Sequence, residues 1–163
     1  IINASAERLG QALVPFLEEA GLDPSNGPAP RDVADGFRER AETLRQMAQS
    51  ARYCYEDFDE IDVKAAKKNL RPVILGPLKA VRDAFAALPA WTQDAIAKTI
   101  EEMAASFEIN MGKLGQPIRV AVTGGSVSPP LDVTLMLVGQ DKTIARLDSA
   151  IEFIKARALQ AID

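Results

Sequence analysis

The chain has 163 residues, of which 47% are hydrophobic and 26% charged, and its formal net charge is −4. This composition supplies enough apolar surface for one ordinary core or two small ones, which excludes a disordered tail and a fibrous protein. The sequence contains neither an apolar run of about 18 residues nor the pattern of a signal peptide. We therefore expect a cytoplasmic protein that does not contact a membrane.

The chain contains no histidine and a single cysteine, Cys54. The lack of histidine excludes Ser-His-Asp and Cys-His nucleophiles, and one cysteine cannot complete an all-cysteine zinc site. Cys54 is therefore predicted to be a small buried hydrophobe, and we expect no catalytic residue and no metal ligand. The first residue is Ile1 rather than Met, which favours a fragment of a longer protein whose catalytic part lies elsewhere.

The charge is distributed unevenly along the chain. Residues 1–60 carry 6 basic and 12 acidic side chains, a net charge of −6, whereas residues 61–163 carry 13 and 11, a net charge of +2. Such a difference indicates two structural units, and the acidic run 56–62 is the predicted boundary between them. The acidic total disfavours a nonspecific polyanion binder, so an RNA partner would have to be read selectively.

Apolar periodicity in the first half predicts two helices. The first covers residues 5–20 with Ser5 as its N-cap, and Pro15 predicts either a kink or a division into two shorter helices. The second is a long amphipathic helix, whose apolar stripe runs from Val33 to Tyr55.

The second half contains four more helix signals. They predict a short helix from Asp62 to Leu70 and further helices that begin at Gly76-Pro77, at Thr92 and at Asp141. The segment 118–127 has the propensity of a strand, but an isolated hairpin among helices is only marginally stable, so we favour a short helix followed by a loop. The predicted fold class is all-α.

Several side chains allow both a functional and a structural interpretation. Arg38, Arg45 and Arg52 recur every seven residues, which would allow them to contact phosphates or bases, but ion pairs with Asp35 and Glu42 are the favoured interpretation. Either Tyr53 or Tyr55 is expected to join the core rather than stack on a base. The acidic run 56–62 lacks the glycine and glutamate of a calcium loop, and Gly124-Gly125-Ser126 lacks the rest of a phosphate loop.

Arg119 differs from the other arginines because no acid lies within four residues of it on either side. Ion pairing within its own segment is therefore excluded. The sequence predicts that Arg119 contacts an external anion or the edge of a base.

Three segments closely resemble the C-terminal part of bacterial glutamyl-tRNA synthetases. They are RYCYEDF (52–58), AAKKNLRP (65–72) and MGKLGQPIRVAVTG (111–124). SPPLD (128–132) and IARL (144–147) continue the resemblance, which covers nearly the whole chain in the same order.

The resemblance implies an all-α anticodon-binding module of a class I synthetase, with helical subdomains at 1–58 and 59–163. In the parent enzyme a Rossmann-type catalytic domain would use ATP and magnesium to attach glutamate to its tRNA. This chain has no counterpart of the HIGH-like and KMSKS-like ATP motifs. We therefore expect a monomer with no cofactor and no aminoacylation activity of its own, whose partners are glutamate tRNA and the catalytic domain of the parent chain.

The resemblance also implies roles for particular residues. Arg40 matches the arginine that discriminates the last anticodon letter, and Arg119 matches one that contacts the anticodon from the other subdomain. Ser128, Pro129 and Leu131 match the loop that packs around the splayed anticodon bases, although Pro130 stands where many relatives carry a small residue. The alternative from another class is a helical protein interaction module with no RNA role, and an independent enzyme is the weakest candidate.

Overall fold

The computed structural model describes residues 4–162, without the side chains of 161 and 162. Over this range the chain forms ten α-helices and one 3₁₀ turn, and no β-strand occurs among these residues. The all-α prediction is thus confirmed. The fold has two compact units, an N-terminal unit (Ile1–Phe58) and a C-terminal unit (Asp59–Asp163). None of the helices described is both long and apolar enough to cross a membrane.

The N-terminal unit begins with the predicted first helix. Its four helices are α1 (Ala6–Glu19), α2 (Pro30–Phe37), α3 (Leu44–Ser50) and α4 (Arg52–Tyr55). The hydroxyl of Ser5 accepts a hydrogen bond from the Arg8 amide at 3.2 Å, as expected of an N-cap. Helix α1 is continuous through Pro15, so the division into two shorter helices is wrong. Leu13 and Leu17 are fully buried on either side of the proline, and this packing compensates for the lost backbone hydrogen bond.

The long helix predicted from Val33 to Tyr55 is also wrong, because α2, α3 and α4 are separate. Thr43 is extended, with φ −131° and ψ 158°, and begins α3 with a capping box. Its hydroxyl accepts from the Gln46 amide at 3.1 Å, while the Gln46 side chain accepts from the amides of Thr43 and Glu42. The apolar stripe still faces one core: Val33, Phe37, Ala41, Met47 and Ala51 are all buried.

Of the two neighbouring tyrosines, Tyr55 joins the core of this unit. It is 1% exposed, and its hydroxyl donates to the Pro28 carbonyl at 2.8 Å. Cys54 beside it is fully buried, as predicted. Tyr53, in contrast, is only half-buried and lies with its ring centroid 6.3 Å from that of Phe37.

The C-terminal unit contains six helices within the described residues. They are α5 (Val63–Asn69), α6 (Leu75–Ala87), α7 (Gln93–Ser106), α8 (Met111–Thr123), α9 (Leu131–Val138) and α10 (Gln140–Ile162), with the 3₁₀ turn (Pro72–Ile74) between α5 and α6. Asp62 and Thr92 cap α5 and α7 as predicted. Helices α6 and α10 begin at Leu75 and Gln140, two residues before the first helical positions expected from caps at Gly76 and Asp141.

The ambiguous segment 118–127 is the end of α8 followed by a loop, as favoured over a strand. Helix α8 contains Pro117 and ends at Gly124, whose φ of +82° is accessible to glycine at little cost. The following helix, α9, was not predicted. Its sequence LDVTLMLV is almost uniformly apolar, so it lacks the periodicity that identifies an amphipathic helix.

The core of the C-terminal unit lies between α6, α7, α8, α9 and α10. Its fully buried side chains include Leu78, Phe85, Ile96, Leu114, Ile118, Leu135 and Leu147. Trp91 lies at its edge, where its indole donates to the Leu135 carbonyl at 2.9 Å and its ring meets Phe85 edge-on at 5.1 Å. This core fixes α8 and the loop that follows it, which carry most of the predicted site residues.

Candidate functional site

Arg119 lies in the last turn but one of α8 and is half-buried. Its neighbours Ile118 and Val120 are fully buried, so the arginine occupies the outer part of the helix. Its Nε donates to the hydroxyl of Ser128 at 2.8 Å, and its Nη1 donates to the side-chain oxygen of Gln116. These bonds fix the plane of the guanidinium group.

Ser128 is 6% exposed and connects Arg119 to the backbone of the loop. Its hydroxyl donates to the Pro129 carbonyl at 2.7 Å while accepting from Arg119. The hydroxyl of Thr134, on α9, lies 3.0 Å from both Ser128 Oγ and the Pro129 carbonyl. We call these four residues (Arg119, Ser128, Pro129 and Thr134) the Arg119 cluster.

Thr134 is the member of this cluster that the sequence did not predict. It is fully buried, and a buried hydroxyl is normally hydrogen-bonded. The signal for it was weak, since it consists of one threonine within the apolar segment of α9, six residues after Ser128. Because it contacts the loop from a different element, Thr134 ties the conformation of the loop to the packing of α9.

The apolar residues of the loop differ in exposure. Pro129 is buried, and its carbonyl accepts the hydrogen bonds of the Arg119 cluster. Pro130 and Val127 are exposed, Val127 at 76%. Leu131 is half-buried, and its side chain lies 3.5 Å from the position a Cβ would take at Gly115. The loop therefore presents Val127, Pro130 and part of Leu131 to a ligand, and the ring of Pro129 belongs to the packed side.

Arg40 lies in the turn between α2 and α3, in the N-terminal unit, rather than on a helix. Its amide donates to the Phe37 carbonyl at 2.9 Å, and its side chain is exposed. Its guanidinium forms no ion pair or hydrogen bond with the residues that the structure describes. Arg40 is thus presented on a turn whose far end is fixed by the capping box at Thr43.

The three regularly spaced arginines lie on or next to different helices and are each engaged. Arg38 lies 3.4 Å from Asp35, as predicted, and also donates to the Ala4 carbonyl at 3.0 Å. The predicted pair of Arg45 with Glu42 is wrong, because Arg45 pairs with Glu19 at 3.2 Å and lies over the ring of Phe16. Arg52 pairs with Glu56 at 2.7 Å and donates to the Ala20 carbonyl at 3.0 Å.

The structure thus brings Arg119, Ser128 and Pro129 into one hydrogen-bonded cluster, with Leu131 beside it, within the C-terminal unit. Arg40 belongs to the N-terminal unit. In residues 4–162, no group of three or more acidic, histidine or cysteine side chains is arranged to hold a metal ion. Planar donors beside an exposed apolar loop are features that binding sites for unstacked nucleobases commonly have.

Comparisons with known proteins agree with this description. The family model for the anticodon binding domain matches residues 8–151. The chain is similar to the structure of a glutamate tRNA ligase from Elizabethkingia meningosepticum in complex with its amino acid, with a TM-score of 0.82 and 21% identity over 93% of this chain and 30% of that one. It is also similar to glutamate-tRNA synthetase from Elizabethkingia anophelis, with a TM-score of 0.77 and 20% identity over 92% and 29% of the two chains.

The family match includes every residue of the Arg119 cluster and also Arg40. The chain belongs to the anticodon-binding domain family. At about 20% identity the two structural matches establish the fold, which is that of a segment of glutamate-tRNA ligases. The chain spans about 30% of the length of these two proteins.

Proposed function

We propose that this chain is the tRNA anticodon-binding module of a glutamate-tRNA ligase. Its partners are glutamate tRNA and the catalytic domain of the same parent chain, where ATP and magnesium act. We place the protein in the cytoplasm, as a monomer. The observation that carries the proposal is the family match over residues 8–151, because it extends through both units and contains each residue proposed to contact the anticodon.

The Arg119 cluster provides chemistry suited to reading a base. An arginine donates two parallel hydrogen bonds in a fixed plane, which suits the acceptors on the edge of an unstacked base. Ser128 fixes that plane through Nε, so less side-chain freedom is lost when the base binds. In this proposal Ser128 and Pro129 position Arg119 and the loop, and Leu131 packs against a splayed base.

Arg40 provides the second base contact. The turn from Arg38 to Thr43 holds its backbone, while its exposed guanidinium is presented to solvent. In this proposal it reads the last letter of the anticodon, as the arginine at the matching position does in the family that the sequence resembles.

The experiment is a titration of the chain with the anticodon stem-loop of glutamate tRNA and with one whose last anticodon letter is changed. Replacing Arg40 or Arg119 by alanine is expected to weaken cognate binding by about 1 to 3 kcal/mol and to reduce the difference between the two RNAs. Arg45→Ala is the matched control, because Arg45 is occupied by Glu19 and Phe16. Equal weakening toward both RNAs would contradict base reading.

The alternative of a protein interaction module gains no support from the exposed apolar residues. The large ones in the described range are Val63, Val73, Phe107, Met111, Val127, Met136, Phe153 and Leu159, and no helix carries more than two of them. A docking face for a partner helix needs several such residues on one stripe. A chain that is helical by circular dichroism but binds neither RNA would favour this alternative.

A further inference from the structure

Helix α5 presents one entirely basic face. Lys64, Lys67 and Lys68 occupy positions i, i+3 and i+4 of the helix and are exposed. Arg71, also exposed, follows the C-cap Leu70 in extended backbone. The opposite side of the same segment, Ala65, Ala66 and Leu70, is buried. At 3.6 residues per turn the three lysines lie side by side over about 6 Å of the helix, and Arg71 lies just beyond its C-terminal end. We call these four residues the basic face.

Few acids accompany the basic face. The segment 63–82 contains no Asp or Glu, and no ion pair in the described part of the chain involves any of the four cations. The nearest acids in sequence are Asp59, Glu60 and Asp62. Of these, Asp62 is engaged as the N-cap, where its carboxylate accepts from the Ala65 amide at 3.0 Å.

Helix capping does not require these cations. The C-terminal carbonyls of α5 already accept from Arg157 of α10, whose Nη1 lies 3.3, 3.0 and 2.9 Å from the carbonyl oxygens of Ala66, Lys67 and Leu70. Like charges three or four residues apart destabilise a helix by about 0.2 to 0.5 kcal/mol per pair. Lys67 and Lys68 lie in the last turn of α5, where the helix dipole favours cations and offsets their repulsion from Lys64. An anionic ligand would reduce the remaining repulsion among the lysines.

Helix α5, which carries the lysines of the basic face, begins beside the loop of the Arg119 cluster. The amide of Asp62, which caps α5, donates to the carbonyl of Gly124 at 2.8 Å. Gly124 ends α8 and begins the segment that leads to Ser128. The start of α5 and the start of this loop are therefore in direct contact within the C-terminal unit.

We propose that the basic face binds the phosphate backbone of the RNA whose anticodon bases contact the Arg119 cluster. This inference rests on the proposed function and assigns to α5 the sequence-independent part of the affinity. Phosphate contacts fix the register and orientation of a nucleic acid, and base contacts supply specificity. Lysines suit the first task because each acts as a mobile point charge, whereas Arg40 and Arg119 suit the second.

The test is the triple variant Lys64→Gln, Lys67→Gln, Lys68→Gln, titrated with both stem-loops over a salt series. Three lost phosphate contacts are expected to lower affinity about tenfold at low salt, equally for both RNAs, and to reduce the slope of log K against log salt by about 2. The matched control is Lys98→Gln, Lys142→Gln, Lys155→Gln, which removes the same charge from α7 and α10. It is expected to change the slope by well under half as much.

The outcomes separate this inference from the proposed function. Selective stem-loop binding whose salt slope is the same in the two triple variants overturns the basic face and leaves anticodon reading intact. Equal binding of the two stem-loops that is weakened in the first triple variant, with the reduced salt slope, supports phosphate binding by the basic face and overturns anticodon reading. No binding of either kind of RNA by the unmodified chain, or binding to phosphatidylserine vesicles alone, overturns both.

Discussion

The interactions of Arg119 could be predicted only in part from the sequence. No acid lies within four residues of Arg119 on either side, so the sequence near it gives no partner for the side chain. Two of the groups that hold the side chain are hydrogen-bond acceptors that this pattern did not indicate. They are the neutral groups of Gln116, one helical turn away, and Ser128, on the loop. Hydrogen bonds to neutral acceptors orient a guanidinium without neutralising it.

Ser128 is therefore expected to act through Arg119. Ser128→Ala removes the acceptor for Nε and a partner of Thr134 in a buried position, which should lower the free energy of unfolding by about 1 to 3 kcal/mol. It should also reduce discrimination between the two stem-loops. Urea unfolding and RNA titration measure these effects, with Ser149→Ala, an exposed serine on α10, as the control. Unchanged stability and discrimination would refute the positioning role.

Tyr55 makes the stability of the N-terminal unit sensitive to high pH. Burial raises the pKa of its phenol well above the ordinary value of 10, and the nearby Cys54 and Asp32 add to this effect. Below pH 10 both folded and unfolded chains keep the phenol proton, so Tyr55 adds no pH dependence. Above that pH the unfolded chain loses the proton first, and stability falls as the pH rises.

Tyr55→Phe is expected to remove this part of the pH dependence. The variant loses the hydrogen bond to the Pro28 carbonyl, which should cost about 1 kcal/mol at neutral pH, but its stability should decline less steeply above about pH 10. Urea midpoints measured between about pH 8 and 11 test this expectation, since the lysine background is common to both proteins. If the urea midpoints of the two proteins fell in parallel with pH, the fold would not raise the pKa of the Tyr55 phenol.

For the helices, apolar periodicity predicted where helical segments lie better than it predicted where one helix ends and the next begins. Phe37, Ala41, Leu44, Met47 and Ala51 continue one apolar stripe across the break between α2 and α3, so hydropathy alone predicts one helix. The break occurs because the side chains of Thr43 and Gln46 accept hydrogen bonds from the amides at the start of α3. These bonds replace the ones that a continuous helix would make there. At Asp62 and Thr92 a capping residue stands directly before an apolar stripe, and there the sequence predicted the start of the helix correctly.

The capping box at Thr43 is expected to influence RNA selectivity as well as stability. Thr43→Ala should cost about 0.5 to 2 kcal/mol and loosen the turn that presents Arg40, so discrimination at the last anticodon letter should fall. Thr92→Ala removes an equivalent cap from α7 in the other unit and serves as the control. It should cost similar stability without altering discrimination, and equal loss of discrimination in both variants would argue against a local role for the turn.

In the whole molecule, the distribution of charge along the sequence indicates the division into two units, whereas the total hydrophobicity does not. The first 60 residues carry −6 and the remainder +2, and the structure divides between Phe58 and Asp59. A long colinear resemblance, rather than any short motif, indicated the family and implied the roles of particular residues. The Thr134 contact depends on the packing of distant segments, which is why the sequence did not indicate it.

The absence of histidine predicts that RNA binding is nearly independent of pH around neutrality. No side chain of the 163 residues has an ordinary pKa between about pH 5 and 8, and Cys54 is buried. We expect the affinity for the cognate stem-loop to change less than about twofold between pH 6 and pH 8 at constant salt. A larger change would require a strongly perturbed group at the interface, which this account does not contain.

A comparison of two binding affinities tests whether this chain reads an anticodon. The chain is titrated at fixed salt with the glutamate-tRNA anticodon stem-loop and with the stem-loop whose last anticodon letter is changed. A bidentate contact predicts that the altered RNA binds more weakly by about 1 to 3 kcal/mol, which is roughly 5- to 150-fold. Equal affinity for the two RNAs, in a chain that is folded, would contradict the account.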